Sequence, residues 1–384
     1  MAFSFLSAEL QQLEADGLLR RRRTVESPQG AHLVVDGRDF LSFCSNDYLG
    51  LANHPALVAA LQQGAAQFGV GAGASHLVSG HTAAHHQLET QLAEFVGLPR
   101  ALLFSTGYMA NLGIVAALVG RDDEIFADKL NHASLNDAAL LSRAKLTRYP
   151  HGDLAALAQR LAASRARRKL VVVDAVFSMD GDIAPVPELL ALCERFDAWL
   201  LLDDAHGFGV LGADGRGVLE HFALRSPRII YMATLGKAAG VAGAFAAGEA
   251  ALVEMLIQRA RTYIYTTAMP PPLALALSAS LRLIAAEGWR RARLAELIAV
   301  LRRRLQPRRW RLLASATAIQ PLIIGGNAET LAVSEALRER GIWVPAIRPP
   351  TVPKGQARLR ISLSAAHQAA DVEQLAAALN EIEA

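Results

Sequence analysis

The chain has 384 residues and a mass of 41.1 kDa, too long for one ordinary core and suited to two domains or to one large domain with a smaller partner. Hydrophobic residues make up 52% and charged residues 20%, which excludes disorder as the dominant state, and 39 Lys+Arg against 36 Asp+Glu leaves a net charge of +3, too mild for a dedicated nucleic-acid binder. The two cysteines, Cys44 and Cys193, exclude a disulfide framework and a Cys-rich zinc site, and they point to a reducing cytoplasm. Residues 1–6 carry no basic n-region, and Glu9 and Glu14 follow at once, so no secretory leader is expected. The longest apolar-looking run, 235–257, holds Lys237, Glu249 and Glu254, so no membrane span is expected either.

In chain order, residues 1–23 read as an amphipathic helix with Leu6, Leu10 and Leu13 on one face and Arg20 to Arg23 at its end. HLVVDGRDFLSF (32–43) alternates about a Gly turn and reads as a hairpin. From about residue 55, stretches rich in Ala, Leu and Gln alternate with short apolar runs. The runs are ALLFS (101–105), EIFAD (124–128), KLVVVDAVFS (169–178), WLLLDDAH (199–206) and RIIYMATLGK (228–237), with GAFAAG (243–248) a further candidate. Buried runs separated by helices indicate βα units and a mostly parallel sheet covered on both faces. Pro270, Pro271 and Pro272 mark a boundary, because proline is excluded from a helix interior. A long helical segment, 273–305, follows. Then come strand-like AIQPLII (318–324), GIWVPAI (341–347) and ARLRISL (357–363), with one helix between the first two and another at the end. The expected division is an N-terminal helix and hairpin over 1–50, a large α/β domain over 51–272 and a smaller α+β domain over 273–384.

Ligands of open α/β sheets collect beyond the carboxyl ends of the strands. Five consecutive run ends are polar here: Ser105-Thr106-Gly107, then Asp128 and His132, then Ser178, then Asp203, Asp204 and His206, then Thr234 and Lys237. A purely structural sheet has no need of such a set. STGY (105–108) opens a helical stretch, and a helix start rich in small residues offers free N–H groups to a phosphate. No Walker-type loop is present, and Gly69-x-Gly71-x-x-Ala74 follows a helical stretch rather than a strand, so it is not a dinucleotide fingerprint. Lys237 sits in the apolar, Gly-rich LGKAAG (235–240), where a desolvated amine becomes nucleophilic toward carbonyls; alone, it is more simply a lysine that reaches the surface. Asp203-x-x-His206 could be a metal pair, a catalytic dyad or solvated loop residues, and two ligands alone do not favour a metal. Together, a phosphate seat, a strand-end carboxylate and a later lysine meet the needs of pyridoxal 5′-phosphate (PLP): an anion site, a partner for the pyridine nitrogen and an amine for the aldehyde.

STGYMAN (105–111), NHAS (131–134), VVVDAVFSMDGD (171–182), LLLDDAHGFGVLG (200–212), TLGKAAG (234–240) and YTTAMPP (265–271) resemble the α-oxoamine synthases. These are fold-type-I PLP-dependent enzymes that condense an amino acid with an acyl thioester and release CO2. The resemblance runs from about residue 20 to the C-terminus. FCSNDYLGL (43–51) and AIRPPTVPKGQARLRISLSAAH (346–367) are similar to the biotin-pathway branch, whose members join L-alanine to a pimeloyl thioester carried by CoA or an acyl carrier protein. The resemblance implies a fold-type-I transferase with a large, mostly parallel-sheet domain and a smaller C-terminal α+β domain. It implies that Lys237 takes the cofactor's aldehyde and later acts as general base. Asp203 pairs with the pyridine nitrogen, and His132 stacks on the ring and borders the substrate. Ser178 and His206 lie near the phenolic oxygen. Gly107, Tyr108 and Thr234 hold the phosphate, and Thr267, beside Thr266, reaches the phosphate of a neighbouring subunit, which implies a homodimer. Arg360 takes the amino-acid carboxylate, and Arg20 and Thr351 face the acyl substrate with Asn46 close by. Two departures stand out. GAGASHLVSGH (71–81) carries His76 one place early and Leu77 where a polar residue often stands, and Arg20 to Arg23 leave Arg21 as an alternative to Arg20.

The nearest rival is a glycine-using branch of the same family. A non-catalytic nucleic-acid binder is the rival of another class, suggested by Arg20–Arg23, Arg302–Arg304 and Arg308–Arg311; these read as solvated faces without an aromatic platform. No metal is expected. His85-His86 reads as part of a helix face, His151, His221 and His367 have no partner spacing, Trp199, Trp310 and Trp343 read as core, and Cys44 as a small buried filler.

Overall fold

The computed structural model describes residues 3–384. In chain order its elements are α1 (Ser4–Ala15), β1 (His32–Val35), β2 (Arg38–Ser42), α2 (Pro55–Phe68), α3 (Ala83–Val96), β3 (Arg100–Phe104), α4 (Gly107–Leu118), β4 (Glu124–Asp128), α5 (Ala133–Ser142), β5 (Lys145–Tyr149), α6 (Leu154–Ala163), β6 (Lys169–Asp174), α7 (Val186–Arg195) and β7 (Trp199–Asp203). They continue with α8 (Val218–His221), β8 (Ile229–Thr234), β9 (Ala244–Gly248), α9 (Ala250–Arg259), α10 (Arg261–Ile264), α11 (Pro271–Ala286), α12 (Trp289–Arg304), β10 (Arg311–Leu312), β11 (Ile319–Gly325), α13 (Asn327–Glu339), β12 (Ile342–Trp343), β13 (Ala346–Ile347), β14 (Ala357–Ser362) and α14 (Ala369–Glu383). A π-turn, His76–Gly80, stands before α3.

The chain forms two compact units: Leu49–Ser178 with Asp182–Arg291, and the residues up to Tyr48 with Met179–Gly181 and Ala292–Ala384. This differs from the division at 1–50, 51–272 and 273–384. Pro271 and Pro272 do not end a domain; they occupy the first turn of α11, where no intrahelical N–H is needed. α11 then packs so closely on α2 that a Cβ on Gly64 would lie 2.8 Å from Pro272 Cα.

The larger unit is built on a seven-stranded sheet of order β3-β9-β8-β7-β6-β4-β5. β5, β4, β6, β7 and β8 run parallel, and β9 is antiparallel to both β3 and β8. Leu170, Val171, Val172, Leu200, Leu201 and Leu202 are fully buried, as expected of strands covered on both faces. The parallel run turns every strand's carboxyl end to one edge, and there the polar run ends meet. β5 has no counterpart in the sequence reading: KLTRY is a partly exposed edge strand with little apolar content. KLVVVDAVFS stops being strand at Asp174, four residues before Ser178.

In the smaller unit, Asp36 (φ 48°) and Gly37 (φ 74°) form the two-residue turn between β1 and β2, both in the left-handed region that such hairpins require. β12 joins β2 in parallel, and a second sheet runs β10-β11-β14-β13. GIWVPAI is therefore not one strand: its halves, on either side of Val344-Pro345, serve different sheets. The N-terminal helix ends at Ala15 rather than at the arginines, because Gly17 (φ 64°) turns the chain and Leu18 N–H closes on Leu13 O. The expected helix over 273–305 is two helices broken at Glu287-Gly288.

Several residues read as unremarkable acquire partners. His151 bonds Asp128 through Nδ1 (3.1 Å) and Asp182 through Nε2 (3.0 Å), and these two carboxylates push its pKa up to about 10. His367 stacks on Phe43 and bonds Ser42 O through Nε2 (2.9 Å). His85 lies on α3 as read, on its buried face. The C-terminal arginines are engaged within their own unit: Arg302 donates to Leu313 O and Gln320, Arg304 pairs with Glu373 and Arg309 with Glu329. Cys44 is half-buried and donates to Trp343 O, and burial raises its thiol to about 12.

Candidate active site

At the carboxyl edge of the large sheet lies a cavity of about 180 Å³ lined by Gly107, Tyr108, His132, Ser134, Asp174, Ser178, Asp203, Ala205, His206, Met232, Thr234 and Lys237. Eight of the residues singled out from sequence meet here, brought from the ends of β3, β4, β6, β7 and β8.

Each wall has a local cause. β3 ends at Phe104, and Thr106 caps α4 by accepting the Met109 N–H on Oγ1 (3.1 Å). The Gly107 and Tyr108 N–H groups form the front of that helix and carry the positive end of its dipole. Thr234 ends β8 directly beside them. A Cβ on Gly107 would lie 2.5 Å from Thr234 Cγ2, so glycine is what permits the approach. Thr234 Oγ1 is buried and has no partner in the protein. Such a hydroxyl at a helix N-terminus fits an anion acceptor.

His132 is positioned by the neighbouring strand. Asn131 bonds Val172 O and the Asp174 N–H, and Asp174 Oδ2 takes the His132 N–H at 2.6 Å. The exposed His132 ring then reaches Ser134 Oγ through Nδ1 (2.7 Å). Desolvation lowers its pKa, the Asp203 carboxylate opposes that, and Lys237 adds to it. Lys237 Nζ shares a hydrogen bond with His206 Nε2 at 2.8 Å.

Asp203 ends β7 and is buried. Its Oδ1 accepts the Ala205 N–H (3.1 Å) and its Oδ2 accepts Asn111 Nδ2 (2.7 Å). Asn111 also donates to Ser134 Oγ (2.9 Å), so an unbroken chain of bonds runs from Asp203 through Asn111 and Ser134 to His132. Asp174 is the register partner of Asp203 on the adjacent strand, and burial, then the Asp203 charge, hold its carboxyl well above the usual range. Asp204, one residue on, points away to Val218 N–H and Tyr231 OH (2.7 Å each), and burial raises it to about 7. It is structural.

Sequence reasoning missed Asn111, Ser134 and Asp174. Asp174 had a signal, since it closes KLVVVD; Asn111 sits one helical turn inside α4 and Ser134 is the second residue of α5, and although both end stretches noted above, STGYMAN and NHAS, nothing there says that the two will meet.

Among the described residues, Thr267 is not part of this cavity: it is exposed, and its backbone bridges to Ser75. The substrate candidates lie in the smaller unit. Arg360 is buried and donates to Asn46 Oδ1 (3.1 Å) and Ser362 Oγ (2.7 Å). Arg20 and Thr351 line one cavity of about 290 Å³ with Leu18, Arg21, Ala346, Ile347, Arg348 and Pro349. Arg20 and Arg21 both face it, and Arg21 is tied to Glu14. Arg348 was not anticipated; desolvation, then the Arg20 charge, lower its pKa.

The family model for aminotransferases of class I and II matches residues 38–379. The 8-amino-7-oxononanoate synthase of Nitrosomonas eutropha is 64% identical over 380 residues, covering 98% of each chain. The chain belongs to the aminotransferase class I and II family and, within it, to the 8-amino-7-oxononanoate synthases. Among solved structures, a serine palmitoyltransferase from S. paucimobilis with bound PLP–myriocin aldimine superposes with TM-score 0.91 at 30% identity, covering 99% of this chain and 97% of that one. The 8-amino-7-oxononanoate synthase from Francisella tularensis does so at TM-score 0.77 and 32% identity, covering 89% and 97%. These likenesses bear out the fold-type-I expectation. Among the described residues no helix is long and apolar enough to cross a membrane.

Proposed function

We propose that this protein is an 8-amino-7-oxononanoate synthase that uses PLP. It condenses L-alanine with a pimeloyl thioester, releasing CO2 and the free thiol carrier, in biotin biosynthesis. The observation that carries this reading is one cavity that gathers an amine, a buried carboxylate, an imidazole and an unpartnered hydroxyl at a helix start. The set fits the cofactor group by group. Gly107 and Tyr108 N–H with Thr234 Oγ1 would hold the phosphate. Asp203 would serve the ring nitrogen, His132 the ring, Ser178 and His206 the phenolic oxygen, and Lys237 the aldehyde.

When bound, PLP supplies a sink for the negative charge that develops at the amino acid's α-carbon. The chain's own groups do the rest. Lys237 Nζ takes the α-proton as general base, with His206 Nε2 at 2.8 Å to orient it. Asn111 Nδ2 and the Ala205 N–H both donate to the Asp203 carboxylate and fix its orientation. We assign Arg360 to the alanine carboxylate, as the planar partner a carboxylate pairs with twofold, and Arg20, Thr351 and Asn46 to the acyl donor. We assign Thr267 to the phosphate of a second subunit in a homodimer; its exposure and its place outside its own chain's cavity support this.

The test is a substrate panel with release of CO2 and thiol as readouts. L-alanine with pimeloyl-CoA or pimeloyl-acyl carrier protein turns over, and the faster of the two identifies the donor. A preference for glycine refutes the reading. Lys237→Ala abolishes turnover, and borohydride reduction no longer fixes the cofactor to the chain.

A further inference from the structure

Outside the Lys237 cavity, His76, His81, His85 and His86 fall within one short segment. The π-turn His76–Gly80 winds the chain wider than an α-turn, and π-turns recur at functional sites. It depends on Gly80, whose Cβ would lie 2.1 Å from Ala74 O. The wide turn sets His76 and His81, five residues apart, with Nδ1 facing Nδ1 at 3.0 Å. One turn into α3, His85 donates from Nε2 to Met269 O (2.8 Å) and accepts the Thr82 N–H on Nδ1 (3.1 Å). The carbonyl therefore fixes the tautomer and leaves the lone pair on Nδ1, the arrangement that orients metal-ligating histidines. Tyr263 stacks flat on His76 (4.8 Å, 10°) and fixes that ring as well.

We propose that His76, His81 and His85 form a binding site for a divalent transition metal of the zinc class. One ring nitrogen from each lies within 4.8 Å of the others. The 3.0 Å between the first two is close to the roughly 3.3 Å edge that two nitrogens about 2.0–2.1 Å from a tetrahedral ion subtend. Imidazole donors suit Zn2+, Ni2+ and Cu2+ rather than Mg2+ or Ca2+. The step balances. The ion displaces the proton shared by the two Nδ1 atoms, the ring that gives it up takes a proton on Nε2 instead so that both rings stay neutral, and the Thr82 N–H and hydroxyl yield His85 Nδ1 to the ion. The site straps 74–81 to the segment carrying Thr267 and Met269, already joined through Ala268 N–H to Ala74 O (2.9 Å).

The test uses the full-length holoenzyme without an affinity tag, stripped with chelator and titrated with Zn2+ by calorimetry, with Co2+ absorbance as a second probe. One ion binds per chain, and Co2+ gives the intense visible bands of a tetrahedral site. His76→Phe, which keeps the ring stack, and His81→Gln each weaken Zn2+ binding at least 10-fold with circular dichroism and cofactor absorbance unchanged. His86→Ala leaves it within twofold. Absence of stoichiometric binding overturns the proposal. So does binding that survives His76→Phe, or a loss in His86→Ala as large as in His81→Gln, which would move the ion to the adjoining His81, His86 and Glu89 group.

Discussion

Replacing Asn111 by Leu separates cofactor binding from folding. Asn111 is fully buried, and its amide nitrogen makes two bonds, to the Asp203 carboxylate (2.7 Å) and to Ser134 Oγ (2.9 Å). A bond to a charged acceptor contributes about 1.5–3 kcal/mol, and its loss leaves Asp203 with the Ala205 N–H alone in a low-dielectric setting beside Asp174. With Asp203 assigned to the pyridine nitrogen as proposed, loss of that energy raises the PLP dissociation constant about 10- to 150-fold. Stability without cofactor falls far less. Asn111 Oδ1 is buried without a partner, a cost of about 1–3 kcal/mol that Leu removes. The assay is a PLP titration of apoenzyme followed by visible absorbance, beside urea unfolding of the same apoenzyme. A dissociation constant within twofold of wild type refutes the argument, as does a drop in apo stability large enough to account for the binding loss.

Thr234→Val keeps shape and removes the unpartnered hydroxyl. Apoenzyme stability is unchanged or rises slightly, while PLP affinity falls by the roughly 0.5–1.5 kcal/mol of one neutral hydrogen bond; equal affinity by the same titration would show that Oγ1 has no anion to meet. Gly107→Ala drives a Cβ to within 2.5 Å of Thr234 Cγ2, and weakens PLP binding further than Thr234→Val does, because the helix start itself must move. For His151 the sign follows from its raised pKa. The protonated ring is favoured in the folded state, so its stabilisation is complete below the ordinary value of 6.5 and is lost as pH climbs toward about 10. Urea midpoints of wild type thus fall between pH 7 and 10 more steeply than those of His151→Gln, and parallel curves would show that the Asp128–His151–Asp182 bridge carries no such linkage.

What the sequence discloses and what it hides follow from the range of the forces involved. The buried strands are legible because a strand covered on both faces must be apolar throughout, as in WLLLD and IIYMAT. KLTRY escapes because an edge strand carries no such requirement. That Gly107, Asp203, Thr234 and Lys237 gather at one sheet edge is legible because strand ends lie where the chain changes character. Asn111 and Ser134 are not, since nothing in MANLG or NHASL marks an amide and a hydroxyl that will meet from different helices, and only the packing of α4 on α5 brings them together.

The same packing treats the two carboxylates at this strand edge differently. Asp174 and Asp203 are register partners at the ends of adjacent strands, both buried, and two unscreened negative charges so placed are strongly unfavourable. The protein resolves this unequally. Asp203 receives a side-chain amide and a backbone N–H. Asp174 receives the His132 N–H but is left with burial and its neighbour's charge dominating, and it is the one pushed toward the protonated form. A proton held on Asp174 relieves the repulsion between the two carboxylates, and Asp203 is the one we assign to the ring nitrogen. Asp174→Asn preserves the neutral shape and the acceptor for His132 N–H, so it leaves PLP affinity within about threefold of wild type. Asp203→Asn removes the one charge that matters and, at about 1.4 kcal/mol per tenfold, weakens binding by at least that factor. Equal losses in the two variants would refute the assignment of Asp203, rather than Asp174, to the ring nitrogen.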